Sequence, residues 1–295
     1  MSDLPPISGD IVGVTAGPHV QEIDARWLMA YAAALGEFAP EYLDTARPDG
    51  IVGHPLFPVA YEWPLAVELR AKAVPDAVAL RSVHATHDLE IHRRVRPGDQ
   101  LTTTATVTVA EARVPGAYVV MRLDTVDGRG NPVSTTRYGS LYLGVECDRP
   151  SARPDPAPPR PDPDADSWET AVPIAATLAH VYTECARIWN PVHTDAAVAR
   201  EVGLPRIILH GTATLALAVS AVLAREPAGP ASPVSRITGR FGGMVFMPST
   251  LRVRGTGRAT TPGGRSIAFE AISAEGRPAV RDGRLLLAGR GTGRP

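Results

Sequence analysis

A run of alternating Pro and Asp, RPSARPDPAPPRPDPDAD from Arg149 to Asp166, divides this 295-residue chain almost evenly and limits the folds open to it. Such a stretch has little to bury and favours an extended, semi-rigid polyproline-like path. The halves on either side of it repeat one another. In the first, a helical stretch IDARWLMAYAAALGE, Ile23 to Glu37, runs into the turn FAPEYLD, and the apolar IVGHPLF then leads into a second helical stretch, PVAYEWPLAVELRAKA. In the second, AATLAHVYTECARIW, NPVHTD, LPRIILH and GTATLALAVSAVLA follow in the same order. Extended segments of alternating or β-branched character come after each long helix. They are HDLEIHRRVRPGDQLTTTATVTVAEAR, YVVMRLDTVDGRGNPV and GSLYLGV in one half, and RITGRFGGMVFMPSTLRVRGTGRA, SIAFEAISAEGRPAV and GRLLLAG in the other.

Each half therefore reads as a helix-turn-helix element and one long helix followed by about three long antiparallel strands, an α+β layer arrangement. A single such unit leaves a sheet edge and the helix flanks exposed. Duplication remedies this, because two units pairing edge to edge make a pseudo-dimer inside one chain. The expected division is residues 1–148, a linker over 149–166, and residues 167–295.

With 44% hydrophobic residues the chain can bury a sizeable core. Lys and Arg number 30 against 31 Asp and Glu, a formal net charge of -1, so neither a nucleic-acid nor an anionic-membrane partner is expected. The longest apolar runs, such as ATLALAVSAVLA from Ala213 to Ala224, are about half the roughly 20 residues of a membrane span. The start MSDLPPISGD has neither a basic nor an apolar leader region, and there are two cysteines, Cys147 and Cys185. A cytoplasmic, disulfide-free protein is the expectation.

The chemistry concentrates in RIWNPVHTD, Arg187 to Asp195. Asn190-Pro191-Val192-His193 is a weak motif alone, since Asn-Pro commonly starts a turn. Here Ile207-Ile208-Leu209-His210-Gly211 follows and opens an apolar helix, with Gly211 eighteen residues after His193. In that combination the second half resembles the MaoC-like, (R)-specific 2-enoyl-CoA hydratases, and YAAALGEFAPEYLD resembles a degenerate N-terminal copy. The resemblance covers nearly the whole chain outside the linker and implies a double hotdog of the hydratase 2 type.

It further implies addition or removal of water across the α,β bond of an acyl thioester carried by coenzyme A or a carrier protein. His193 is then the proton-transfer group, the Gly211 amide the oxyanion donor, and Asn190 the residue that fixes the turn and the water. The equivalent of Gly211 in the first half is Pro55, after His54, which has no N–H to donate. The equivalent of His193 is Tyr42, which does not titrate near neutral pH. Both losses place the site on the second half. The family also carries an Asp five residues before its His, and here that residue is Ile188. Three readings stay open: Glu184, one helical turn before Ile188, or Glu37, at the matching place in the first half, replaces the carboxylate; His193 acts alone; or only thioester binding remains.

Several residues have plainer roles. Asn190 suits a turn, Asp195 the first turn of the next helix, His210 a satisfied strand-to-helix junction, and Cys185 a small core position. His84, His87, Asp88 and His92 lie close in sequence, but strand alternation puts His84 and His92 on one face and His87 on the other, so no metal site is expected there. No Gly-rich phosphate loop is present, and no metal or redox cofactor is expected. A monomer or a homodimer both suit a chain that already contains paired hotdogs.

Overall fold

The computed structural model describes residues 4–152, 167–261 and 263–289. The main elements, in chain order, are β1 (Thr15–Glu22), α1 (Ala25–Ala34), α2 (Pro58–Ala73), β2 (Ser82–Ile91), β3 (Gln100–Arg113), β4 (Gly116–Asp127), β5 (Pro132–Leu143), β6 (Trp168–Ile174), α3 (Leu178–Ala186), α4 (Ala196–Glu201), α5 (Gly211–Leu223), β7 (Val234–Phe241), β8 (Ser249–Thr261), β9 (Gly264–Ile272) and β10 (Pro278–Ala288). Two compact units form. One holds residues 4–22, Tyr61–His92 and 99–152; the other holds Ile23–Ala60, Arg93–Gly98 and 167–289.

In the first unit the strands are ordered β1-β3-β4-β5-β2, every neighbour antiparallel. Leu65 and Leu69 of α2 share a core with Val107, Val119, Met121 and Leu123. Burial of each such side chain contributes roughly 1.5–3 kcal/mol. In the second unit the order is β6-β8-β9-β10-β7, again antiparallel throughout. Each sheet thus opens on its first strand and closes on its second, and this shared topology is the duplication seen in the sequence. Helix α5 is apolar on all sides, buried continuously from Thr212 to Val219, and packs on β8, β9 and β10. Gly239 of β7 permits the approach, since a Cβ there would meet Val280 at 3.2 Å and Leu215 at 3.4 Å.

Local signals set the helix ends. Asp24 accepts the Trp27 amide at 2.7 Å, so α1 starts at Ala25 rather than Ile23, and Gly36 leaves it in a left-handed conformation. Two strands went unforeseen. In β1 a Gly-Pro pair breaks the alternation, and β6 directly follows the linker. The linker expected over 149–166 lies outside the described residues from 153 onward, while Ser151–Ala152 pairs with Val109 and Ala110 of β3.

One expectation is corrected. His84 and His87 do not face away from each other, because a register shift between His84 and Thr86 turns the strand there. Their rings meet edge to face at 5.4 Å, and His84 also stacks on Tyr138 at 3.8 Å.

Candidate active site

Helix α3 ends at Ala186, and Arg187 turns the chain with φ 57. The Ile188 amide then bonds back to the Thr183 carbonyl at 3.1 Å, and the Arg187 amide bonds to Glu184 at 3.3 Å. This closure throws the chain into Asn190 and the 3-10 turn Pro191–His193. Asp195 caps α4 by accepting from Ala197 at 2.7 Å and Val198 at 3.3 Å, so it precedes the helix instead of lying in its first turn. His193 therefore stands in a short turn fixed at both ends.

Its Nδ1 lies 2.9 Å from the Ile208 carbonyl oxygen. A carbonyl only accepts, so the proton is on Nδ1, and Nε2 keeps a free lone pair. Burial pushes the ring down to about 4, with the Ile208 carbonyl partly opposing that shift. At neutral pH His193 is an uncharged base.

The ring stacks on His210, centroids 3.7 Å apart and planes at 29°. His210 is 2% exposed and sits just before α5. Its Nε2 is 3.1 Å from the Thr183 hydroxyl. Its Nδ1 is buried with no hydrogen-bond partner among the described residues, and a backbone contact of the ring with Ile188 partly opposes the effect of burial. Burial first, and His193 second, hold His210 well below the ordinary histidine value.

Gly211 opens α5, and among the described residues no acceptor takes its amide. The first amides of a helix have no partner inside it, and their dipoles add. A Cβ on Gly211 would meet the Phe241 ring at 3.3 Å, so a side chain would press on that ring. Gly211 and the base of His193 are brought together through His210.

The remaining candidates are placed differently. Ile188 is 4% exposed and offers only apolar surface beside its carbonyl. Asn190 is half-buried and makes no side-chain cap. It lines a cleft of about 380 Å³ with His180, Thr183, Glu184, Trp189 and Pro191. Glu184 is exposed on that cleft. Among the described residues no carboxylate bonds to His193. Cys185 is a half-buried free thiol, raised by burial, which is the reverse of an activated nucleophile.

Glu37 belongs to the degenerate copy of the site. The Leu56 amide donates to His54 Nδ1 at 3.1 Å, so His54 Nε2 carries the proton and donates to the Ser220 hydroxyl, also at 3.1 Å. Ser220 in turn bonds to the Glu37 carboxyl, which burial raises above its usual value. Tyr42 is fully buried and pushed up to about 12 by that burial. Thr183, Ser220 and the Ile208 carbonyl escaped the sequence reading. A lone hydroxyl on a helix and a backbone oxygen carry no motif.

Among the described residues no group of three His, Cys, Asp or Glu stands together to hold a metal, and no helix is long and apolar enough to cross a membrane.

Known proteins resemble the chain in sequence and in fold. Residues 166–272 match the family described as MaoC like domain, and residues 10–136 match a FAS1-like dehydratase domain region. Enoyl-CoA hydratase 2 of Arabidopsis thaliana, named as peroxisomal, is 41% identical over 63 residues, 21% of this chain and 20% of that protein. Peroxisomal multifunctional enzyme type 2 of Drosophila melanogaster is 30% identical over 195 residues, 63% of this chain and 32% of that one. The chain thus spans about a third or less of these relatives. Among solved structures, a MaoC-like dehydratase from Phytophthora capsici superposes with a TM-score of 0.79 at 22% identity, covering 97% of this chain and 99% of its own. A Mycobacterium tuberculosis protein described as a double hotdog gives 0.61 at 18% identity, covering 94% and 96%. The fold is the double hotdog. The first half is thus similar to a FAS1-like dehydratase region and the second half to a MaoC like domain, the two halves of a double hotdog.

Proposed function

We propose that the protein is a hydratase or dehydratase acting on a 2-enoyl or 3-hydroxyacyl thioester, carried by coenzyme A or an acyl carrier protein. The observation that carries this reading is the Ile208 carbonyl on His193 Nδ1, which leaves Nε2 as a neutral base on a ring that stacks against His210, the residue before Gly211. The names of the relatives, enoyl-CoA hydratase among them, support the same chemistry.

In the hydration direction a water oxygen bonds to the β-carbon while His193 Nε2 takes one of its protons. The π electrons move toward the thioester oxygen, where the Gly211 amide and the start of α5 stabilise the negative charge. The imidazolium then returns its proton to the α-carbon. Every step is reversible, and the balance needs no redox partner. The Asn190 carbonyl accepts the His193 amide at 3.1 Å and so holds the turn, and its side chain borders the cleft of about 380 Å³.

A non-catalytic thioester-binding role is favoured by one observation, the isoleucine at position 188. The test is turnover by the purified protein: crotonyl-CoA and a longer 2-enoyl-CoA should lose their enoyl absorbance, and His193→Ala should abolish this. A protein that binds such thioesters and turns none over would leave only the binding role.

A further inference from the structure

The carboxylate absent at Ile188 is not returned to His193 by Glu184 or Glu37. What the fold does bring, one ring away from His193, is a hydroxyl. The chain closure after α3 bonds the Ile188 amide to the Thr183 carbonyl at 3.1 Å, so residues 183 and 188 are backbone neighbours. The Thr183 side chain is 4% exposed, borders the cleft shared with Asn190, and reaches His210 Nε2 at 3.1 Å. His210 in turn lies flat against the His193 ring.

The direction of the Thr183–His210 bond follows from the other ring nitrogen. A backbone contact with Ile188 raises the His210 value, as a carbonyl does when it accepts from a ring N–H. With Nε2 taken by the Thr183 hydroxyl at 3.1 Å, that N–H is assigned to the other ring nitrogen, Nδ1, and Nε2 accepts. Thr183 therefore spends its single proton on His210. Both lone pairs of its oxygen remain able to accept.

We propose that the Thr183 hydroxyl takes the place of the missing carboxylate as the second acceptor for the reacting water, with His210 as the positioning residue that fixes its orientation. This rests on the hydratase reading above. The water gives one proton to His193 Nε2 as its oxygen bonds to the β-carbon. Its other hydrogen stays on oxygen, hydrogen-bonded to Thr183, and becomes the hydroxyl hydrogen of the 3-hydroxyacyl product. Thr183 neither gains nor loses a proton, which is why a neutral hydroxyl suffices. A water with two acceptors is oriented with a lone pair toward the substrate, and orientation of this kind carries much of the rate in such reactions.

The experiment compares Thr183→Ser with Thr183→Ala, which differ only in the hydroxyl, and adds Thr183→Val as the isosteric deletion. With a 2-enoyl-CoA substrate, the Ser variant should keep kcat within about threefold, while Ala and Val should lose about a hundredfold or more with KM little changed. Introducing Ile188→Asp into the Ala variant should restore at least about tenfold, because a carboxylate then supplies the acceptor. Equal kcat for Ser and Ala overturns the proposal, as does an Ala variant that Ile188→Asp fails to rescue. The Ser and Ala pair decides the question even where Val disturbs the fold through His210. If His193→Ala abolishes turnover but the Thr183 variants do not, the hydratase reading stands and the role of Thr183 falls. If the wild-type protein turns over no thioester, both fall.

Discussion

His193 and His210 lie face to face with ring centroids 3.7 Å apart, and the Ile208 carbonyl fixes the outer ring so that its Nε2 is the free nitrogen. An imidazolium on His193 forms only at a cost in this partly dry site, because burial disfavours the charged ring. The proposed base, His193, is therefore neutral above about pH 4. The expected profile of kcat/KM is level from about pH 8 down to about pH 6, falling only as the pH approaches the His193 value. A limb near the ordinary histidine value would show that the ring is solvated, and pH-dependent initial rates decide between the two. His193→Ala should lower kcat by about a hundred- to ten-thousandfold.

Gly211 can be tested without removing its helix. His210 holds φ -57 and ψ 138, an extended conformation that a residue before proline adopts readily, and proline is well tolerated at the first position of a helix. Gly211→Pro should therefore keep α5 while deleting the amide. Gly211→Ala keeps the amide and controls for crowding against Phe241. The expected result is a loss of about a hundred- to a thousandfold in kcat for Pro and a much smaller one for Ala. Circular dichroism confirms the helix, and equal rates for the two variants would remove the amide from the mechanism.

His87 links fold stability to acid. It is 1% exposed, burial pushes it down to about 4, and neither ring nitrogen has a hydrogen-bond partner among the described residues. A folded-state value below the unfolded 6.5 means that the unfolded chain binds the proton first. The resulting stability is present above pH 6.5 and lost as pH falls toward 4, on the order of 3 kcal/mol for this group. His87→Leu should flatten that part of the stability curve, measured as urea midpoints between about pH 7 and pH 4.

Glu62 acts in the opposite direction. Its carboxyl is 3% exposed and accepts from Ser134 at 3.2 Å and Thr136 at 2.9 Å, and burial raises it to about 8 despite those bonds. A raised value favours the protonated form, so its stability is present below the ordinary 4.5 and lost as pH rises through about 8. Glu62→Gln stays neutral and keeps an acceptor for the two hydroxyls. The variant should melt above the wild type at about pH 8.5 by several degrees, with the gap closing near pH 5. Differential scanning calorimetry at both pH values measures this. A constant gap would mean that Glu62 is not the titrating group.

The sequence by itself determined what depends on near neighbours. The apolar run from Thr212 to Val219 could only be a buried helix, and the repeated order of helices, turns and strands announced two copies of one topology, whereas Asp24 and Asp195 read as helical residues and proved to be caps just outside their helices. It also showed that Ile188 cannot take a proton. The contacts around the proposed site were invisible, because the partners are far apart along the chain: Thr183 meets His210 across 27 residues, His193 meets Ile208 across 15, and His54 meets Ser220 across 166. Nothing local distinguishes Thr183 from any other helical threonine. The register shift that turns His84 onto His87 was hidden for the same reason, since a bulge is fixed by the partner strand. Only the tertiary structure decided which nitrogen of each histidine carries its proton, because a tautomer is set by the atom that folding places opposite the ring.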